Sequence, residues 1–273
     1  MASKAIQRND KKGAGMFSKI PIARHDLMIT GYVMIDYLAR LLKLRSLRDH
    51  VVRFRCECGY KFNARLHEWW RFISHFEPKT SSFFRKNVSK EDIVFDIGAH
   101  IGIHTIHLAK IAKFVYAIEP EPNNLKLLIK NIFTNNVEKK VSVLPYAISS
   151  TDNLVNFHVS SKSTGAHRIL SKNEDSIDRE TILKVQAYTL DTLLFNILRI
   201  DHVDVIKIDV EGHELEVIKG AQKLLQHSPP RILVIETKKY SELLGLLTDK
   251  YDYQLIDILD CWNGACNCVF LKK

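Results

Sequence analysis

Short apolar runs and longer amphipathic stretches alternate along this chain, and the alternation predicts its fold. Ile93, Val94, Phe95 and Ile97 form a compact apolar run, the mark of a strand buried on both faces. It stops at a glycine-punctuated turn, Asp96-Ile97-Gly98-Ala99-His100-Ile101-Gly102. Helical spacing follows, with Ile103, Ile106, Leu108, Ala109 and Ile111 apolar, then a second strand over 114–118 ending in Glu119-Pro120. Downstream the pattern predicts a helix over 123–133, a strand over 141–144, an alternating edge strand over 154–159 and a long serine-rich loop over 160–180. A short strand at 185–187, a helix from Thr189, a strand over 203–208, a helix to about 225 and a strand over 232–235 come next. A helix near 242–247 and strands over 253–259 and 266–271 close the chain. Strands alternating with helices give an α/β fold, a mostly parallel sheet with helices on both faces.

Ahead of that core the pattern differs. Residues 1–25 are polar and basic and read as a tail. Over 26–47 a helical pattern sets Leu27, Val33, Met34, Tyr37, Leu38, Leu41, Leu42 and Leu44 against Arg40, Lys43, Arg45 and Arg48. The simpler expectation is a helix packed on the domain or on a partner; the sharper one is a basic amphipathic helix on a membrane surface. Strands over 51–56 and 60–66, joined at Cys58-Gly59, precede a helix over 67–76 and another ending near Asn87. They make a cap whose Trp69, Trp70, Arg71 and His75 are placed to line a cleft. The expected division is a tail and helix over 1–50, a cap over 51–90 and the main domain over 91–273.

With 273 residues and 46% hydrophobic content, the chain can bury a sizeable core in one or two domains. Its formal charge of +9 invites nucleic acid or an anionic surface as partner. The excess is uneven, however: the first 50 residues hold ten Lys and Arg against four Asp. Five cysteines are too few for a disulfide scaffold, so reduced thiols are expected. Cys56-x-Cys58 with Cys261, Cys266 and Cys268 would hold a metal only if the two ends met. The start lacks the apolar core of a secretory signal, and no run reaches the ~20 residues that span a bilayer. A cytoplasmic protein is expected, with peripheral membrane contact through 26–47 as the variant.

The turn and the second strand carry the clearest chemistry. Gly98 and Gly102 allow a sharp bend and close ligand approach, and the helix behind them presents unpaired N–H groups. Glu119, at the carboxyl end of its strand, can accept hydrogen bonds from both hydroxyls of a ribose. Neither the G-x-G-x-x-G dinucleotide fingerprint nor a G-x-x-x-x-G-K-[ST] phosphate loop is present. Asp96 in the turn suits a ligand with an ammonium group and would repel a pyrophosphate. S-adenosylmethionine meets both demands, with Asp96, Gly98, Ala99, His100, Gly102, Glu119 and Pro120 as candidate contacts.

Ligands of an open α/β sheet bind beyond the strand ends, where Asp96, Glu119, Asp209 and Glu236 all fall. Methyl transfer to a hydroxyl needs a base beside the acceptor, and Asp209, Glu211 and His213 are candidates, next to Lys207. A divalent ion held by Asp209 and Glu236 is the less favoured route, and His100, His104 and His107 straddle the cofactor turn rather than making a zinc set. Glu236, with His167 and Arg168 of the long loop, is a candidate acceptor contact. Nucleic acid is a disfavoured acceptor: no N/D-P-P-Y/F motif follows Ile208, Ser228-Pro229-Pro230 precedes the wrong strand, and the mouth is acidic. A binding protein with this fold but no reaction is the other alternative.

In order along the chain, five pieces resemble the FkbM family of methyltransferases. They are Val94-Phe-Asp-Ile-Gly-Ala-His-Ile-Gly102; Ala117-Ile-Glu-Pro-Glu-Pro122 with Asn131 and Asn135; Thr189-Leu-Asp191; Lys207-Ile-Asp-Val-Glu-Gly-His-Glu214 with Gly220; and Glu236. The resemblance runs from about Glu77 to the C-terminus, and K-I-D-V-E-G is its most specific piece. It implies a Rossmann-like class I methyltransferase fold, a seven-stranded sheet whose last strand runs antiparallel. It also implies O-methylation of a small-molecule or glycan acceptor: a sugar, glycolipid or other secondary metabolite. Asp96, Gly98 and Gly102 would border the methionine moiety, Glu119 the ribose, the segment around Ala147 the adenine, and Asp209 and Glu211 the transferred methyl. His100 stands where the family commonly has Asn.

Overall fold

The computed structural model describes residues 24–56, 58–72, 76–160, 167–170, 182–238, 240–262 and 264–273. Its helices are α1 (Arg24–Leu41), α2 (Arg45–Arg48), α3 (Pro78–Asn87), α4 (Ile103–Ile111), α5 (Pro122–Thr134), α6 (Glu214–Lys219), α7 (Gln222–His227) and α8 (Tyr240–Gly245). Its strands are β1 (Val51–Arg55), β2 (Lys61–Arg65), β3 (Ile93–Ile97), β4 (Phe114–Ile118), β5 (Val141–Leu144), β6 (Ala147–Ile148), β7 (Asn153–His158), β8 (Arg168–Ile169), β9 (Ile182–Tyr188), β10 (Val205–Ile208), β11 (Ile232–Thr237), β12 (Tyr253–Trp262) and β13 (Ala265–Lys272).

Seven strands form one sheet in the order β12-β13-β11-β10-β3-β4-β5. Every neighbouring pair is parallel except the two that involve β13, which inserts antiparallel between β11 and β12. Alternation along the strands feeds two cores. Val94, Val115, Val205 and Val234 pack on one face with Ile106 and Leu128. Phe95, Ile97, Ile206, Ile208, Leu233 and Ile235 pack on the other with Leu193, Leu224 and Tyr253. Burial on both faces is why these strands are legible as unbroken apolar runs.

Elsewhere the structure amends the expected elements. The strand over 203–208 begins at Val205, and the helix to about 225 is two short ones, α6 and α7. The expected helix over 67–76 is a 3-10 turn, Leu66–Phe72. Within 160–180, read as loop, Arg168–Ile169 form β8. That strand joins a second sheet of four strands, β6-β9-β7-β8. Period-2 alternation marks a strand but not its partner, so this sheet could not be assembled from sequence. Of the residues expected in that loop, 161–166 and 171–180 lie outside the described residues, as do 1–23 and His75.

The thiols also differ from expectation: Cys56 pairs with Cys58 and Cys261 with Cys266, leaving Cys268 free and buried. Cys261 and Cys266 are register partners across β12 and β13, with Cα atoms 4.1 Å apart, so strand pairing places them together. Cys56 and Cys58 instead adjoin His107 of α4, whose Nε2 is 3.2 Å from Cys58 Sγ. Among the described residues, no group of three metal-ligating side chains combines the two ends of the chain.

The β1–β2 hairpin is pinned to α5 by side-chain amides that imitate a neighbouring strand. Asn131 Oδ1 accepts from Asn63 N (2.6 Å) and Asn131 Nδ2 donates to Asn63 O (3.0 Å). Asn135 repeats the pattern on Lys61, at 3.1 and 2.7 Å. Asn131 Nδ2 also donates to Ile101 O (2.9 Å), tying the hairpin to the turn after β3.

Candidate functional site

A cleft of about 890 Å³ opens beyond the carboxyl ends of β3, β4, β10 and β11. Its lining includes Asp96, Gly98, Ala99, His100, Glu119, Pro120, Ala147, His167, Asp209, Glu211, His213 and Glu236. Gly102 and Arg168 do not line it. Gly102 has φ +90° and begins α4; a Cβ there would lie 2.5 Å from Leu128, so its smallness serves helix packing. Arg168 sits in β8 between His167 and Ile169, both of which line the cleft; strand alternation turns Arg168 to the other side.

The turn is shaped by contacts within the protein. Gly98 has φ +82°, and a Cβ on it would lie 1.8 Å from the Asp209 carbonyl oxygen. Two strand ends thus meet backbone to backbone. His100 adopts φ 52°, a left-handed conformation that Asn tolerates better than His. That backbone lets His100 N donate to Glu119 Oε2 at 2.8 Å. Glu119 Oε1 accepts from Glu121 N at 2.9 Å, and the carboxyl group is buried. Burial pushes Glu119 up to about 7, although these N–H donors pull the other way. Asp96 Oδ2 accepts from Thr105 Oγ1 at 2.6 Å, while its buried Oδ1 has no hydrogen-bond partner. An unpartnered carboxylate oxygen in the turn fits an ammonium group, and Glu119 with spare lone pairs fits a ribose. The residues present therefore suit S-adenosylmethionine.

At the other end the acids converge. Lys207, fully buried in β10, is the register neighbour of Asp96 and donates to Asp209 Oδ2 at 3.0 Å. Burial opposes its charge, but Asp209, Glu77, Asp96 and Glu236 outweigh it and hold its pKa above the ordinary lysine value. Oxygens of Asp209, Glu211 and Glu236 lie within 4.8 Å of one another. Asp209 and Glu236 share a hydrogen bond. Burial resists the Asp209 charge, but Lys207 and that bond keep the group well below the usual range. The Asp209 charge, with burial, drives Glu236 up to about 10, so Glu236 carries the shared proton at neutral pH. Glu211, in a left-handed backbone at φ 55° and with its side chain exposed at the cleft, is raised to about 7 by partial desolvation and by the charges of Asp209 and Glu214. His213 is tethered by Ser149 Oγ at 2.9 Å, and burial keeps its pKa below the ordinary value. This acid group already contains a cation, Lys207.

The three histidines of the turn and α4 diverge. His100 Nε2 lies 3.5 Å from Glu68, and burial together with Arg71 pushes its pKa down to about 3. His104 Nε2 is hydrogen-bonded to Glu77 Oε2 at 2.9 Å, whereas His107 turns to Cys58. His167 accepts from Ser160 N at 2.9 Å, and burial lowers its pKa to about 4.

Several lining residues were not singled out for the site from sequence: Glu77, Tyr146, Lys238, Trp262 and Asn267. Asn267 Nδ2 donates to Glu77 Oε2 at 3.0 Å across 190 positions of sequence. No local pattern marks such a pair; it follows from inserting β13 beside β11, where Asn267 is the register partner of Glu236. Of the expected cap residues, Trp70 and Arg71 line the cleft, while Trp69 donates to Asp36 of α1. Trp70 stacks on Trp262 with ring centroids 6.2 Å apart and planes 14° from parallel. Both rings are exposed. The Arg71 guanidinium lies 4.6 Å from the Trp70 ring centroid.

Sheet order, antiparallel insertion, glycine turn and strand-end glutamate together define a class I S-adenosylmethionine-dependent methyltransferase. Residues 96–255 match the methyltransferase FkbM domain, and the chain belongs to that family. It is 30% identical over 194 residues to the hexuronic acid methyltransferase AglP of Haloferax volcanii, covering 70% of this chain and 75% of that one. It is 31% identical over 160 residues to a tRNA (guanine(37)-N(1))-methyltransferase of Methanocaldococcus jannaschii, covering 57% of this chain and 45% of that protein. Among solved structures, the FkbM methyltransferase of Methylobacillus flagellatus aligns over 75% of this chain with a TM-score of 0.52 and 19% identity. This chain spans about 50% of that protein's length.

Proposed function

We propose that the chain methylates a hydroxyl oxygen of a sugar, residues 91–273 forming the catalytic domain and 51–90 its cap. The observation that carries this reading is the acceptor end of the cleft. There Glu211, a carboxyl raised to about 7, stands among acids in the same cleft as a stacked pair of exposed tryptophans. Indole faces suit the C–H face of a sugar ring, whose hydrogens are weakly positive. Arg71 and Lys238 add cations to the lining, which suits an acidic sugar; the Haloferax relative is named for hexuronic acid.

When bound, S-adenosylmethionine supplies a methyl group on a positively charged sulfur. Asp96 Oδ1 would hold its ammonium group, Glu119 its ribose, and Ala147 with Tyr146 and Ile148 its adenine. Glu211 takes the proton of the acceptor hydroxyl, its pKa near neutral making it both ionised often enough and basic enough. Asp209 is a weaker base because Lys207 and the Glu236 proton hold its charge. His213 is occupied with Ser149. One sugar carboxylate is met by Arg71 and Lys238, but among the described residues the cleft lining holds no Arg or Lys beyond these and the buried Lys207 to meet a run of phosphates, which argues against nucleic acid. The test is transfer of labelled methyl from the cofactor to a panel of neutral sugars and uronic acids, with mass spectrometry locating a methyl ether. Labelled RNA with unlabelled sugars would overturn the reading, as would cofactor binding with no sugar labelled.

A further inference from the structure

α1 is amphipathic in the inverted sense. It meets the rest of the protein through Tyr32, whose ring lies 5.0 Å from Phe54, through buried Ala39, and through buried Asp36. Asp36 accepts from Arg40 Nε and Arg48 Nε, both at 2.9 Å, and from Trp69 Nε1 at 3.3 Å. Positions 32, 36 and 39 share one helix face. The opposite stripe of Met34, Tyr37, Leu38, Leu41 and Leu42 points outward, with Met34, Leu41 and Leu42 62%, 61% and 65% exposed. Ile35, Leu44 and Leu47 extend it. A contiguous apolar patch of this kind marks a surface that something covers.

The rim of the stripe names the occupant. Arg40 and Lys43 are exposed and Arg48 partly so; with Asp36 paired between the two arginines, these three cations leave a net charge of 3 − 1 = +2. As sequence, and outside the described residues, the stretch ahead of α1 carries Lys4, Arg8, Lys11, Lys12 and Lys19 against Asp10. Asp36 is committed to its arginines, and Asp49 lies beyond the stripe beside His67. A second copy docked through a two-fold axis would press one cationic rim against another. An anionic lipid surface instead pairs with the rim while its acyl region receives the stripe. Among the described residues, no helix is long and apolar enough to cross a membrane, so α1 would lie in the plane of the surface. We infer that α1 is an interfacial helix that docks this protein on an anionic bilayer.

Docking bears on the cleft through one short segment. Leu66–Phe72 carries Trp69 against α1, and Trp70 and Arg71 in the cleft wall. An acceptor sugar borne on a lipid would thus be met where the helix sits; this last step rests on the sugar reading above.

The test uses the full chain with phosphatidylcholine vesicles, with and without phosphatidylglycerol, in a sedimentation assay. Binding is expected only with the anionic lipid and weakens about tenfold from low to high salt. The double variant Leu38→Glu/Leu41→Glu should abolish it, with thermal melting and cofactor affinity unchanged because both side chains are exposed. No sedimentation with anionic vesicles, or binding that survives the double variant, overturns the proposal. So does a dimer by light scattering that the variant dissolves, which assigns the face to a second copy. Methylation of soluble sugars without vesicle binding removes the docking alone; vesicle binding without sugar methylation removes only the acceptor reading.

Discussion

The two ends of the cleft hold their acids by different means. At the proposed cofactor end the carboxylates are held by neutral donors: Glu119 by the N–H groups of His100 and Glu121, Asp96 by the Thr105 hydroxyl. At the proposed acceptor end the acids hold one another, Asp209 sharing a proton with Glu236 beside the buried ammonium of Lys207. Neutral N–H and O–H donors fix a carboxylate's position and favour its ionised form. A cluster bound by charge and a shared proton changes character with every proton gained or lost. Neutral donors thus organise one end, and charge with a shared proton the other. Gly98 against the Asp209 carbonyl is the seam between them.

The sharpest break of this contrast is Glu211→Gln. It should lower kcat by roughly 10²–10⁴-fold while leaving cofactor affinity within about twofold. In the parent, kcat at saturating cofactor should rise with pH through about 7 as Glu211 ionises, and the variant should lose that inflection. A retained inflection would move the base elsewhere.

Lys207→Met should cost about 3–5 kcal/mol of stability, because it strands buried acids without their cation. Chemical denaturation at several pH values checks it. The deficit should widen as pH rises, since the folded variant then resists ionising what the unfolded chain ionises freely. A deficit that is flat with pH would mean that charge is not what holds this end together.

Glu119→Ala should weaken cofactor binding by about 1.5–3 kcal/mol, the value of hydrogen bonds to a charged group, with kcat little changed. Calorimetry reads it. Because the folded carboxyl is raised from 4.5 to about 7, its contribution to stability is full below about 4.5 and is lost as pH rises through 7. The variant should lack that component of the pH dependence.

Much of this arrangement is legible in sequence where its causes are local. The turn from Asp96 to Gly102, the strand tip at Glu119 and the acid run after Ile208 each follow from a pattern within a dozen residues. Local pattern marks these positions, but packing supplies the reason for the two glycines. Gly102 is small for Leu128 and Gly98 for Asp209, although both read as making room for a ligand. Strand alternation removed Arg168 from the cleft, because β8 cannot be anticipated without the sheet it joins.

The chain's own apolar periodicity determined the buried strands of a mostly parallel sheet and the residues at their tips, since burial on two faces writes itself into consecutive positions. Tertiary structure alone decided how far Glu211 is desolvated at the cleft, the largest cause of its raised pKa, whereas the charges of Asp209 and Glu214 that add to it are sequence neighbours. It alone turned the apolar stripe of α1 outward, because a helix's period marks a face without saying which way it points. It alone set Trp262 against Trp70 and Asn267 against Glu77, because contacts between distant positions arise from chain topology and leave no local trace.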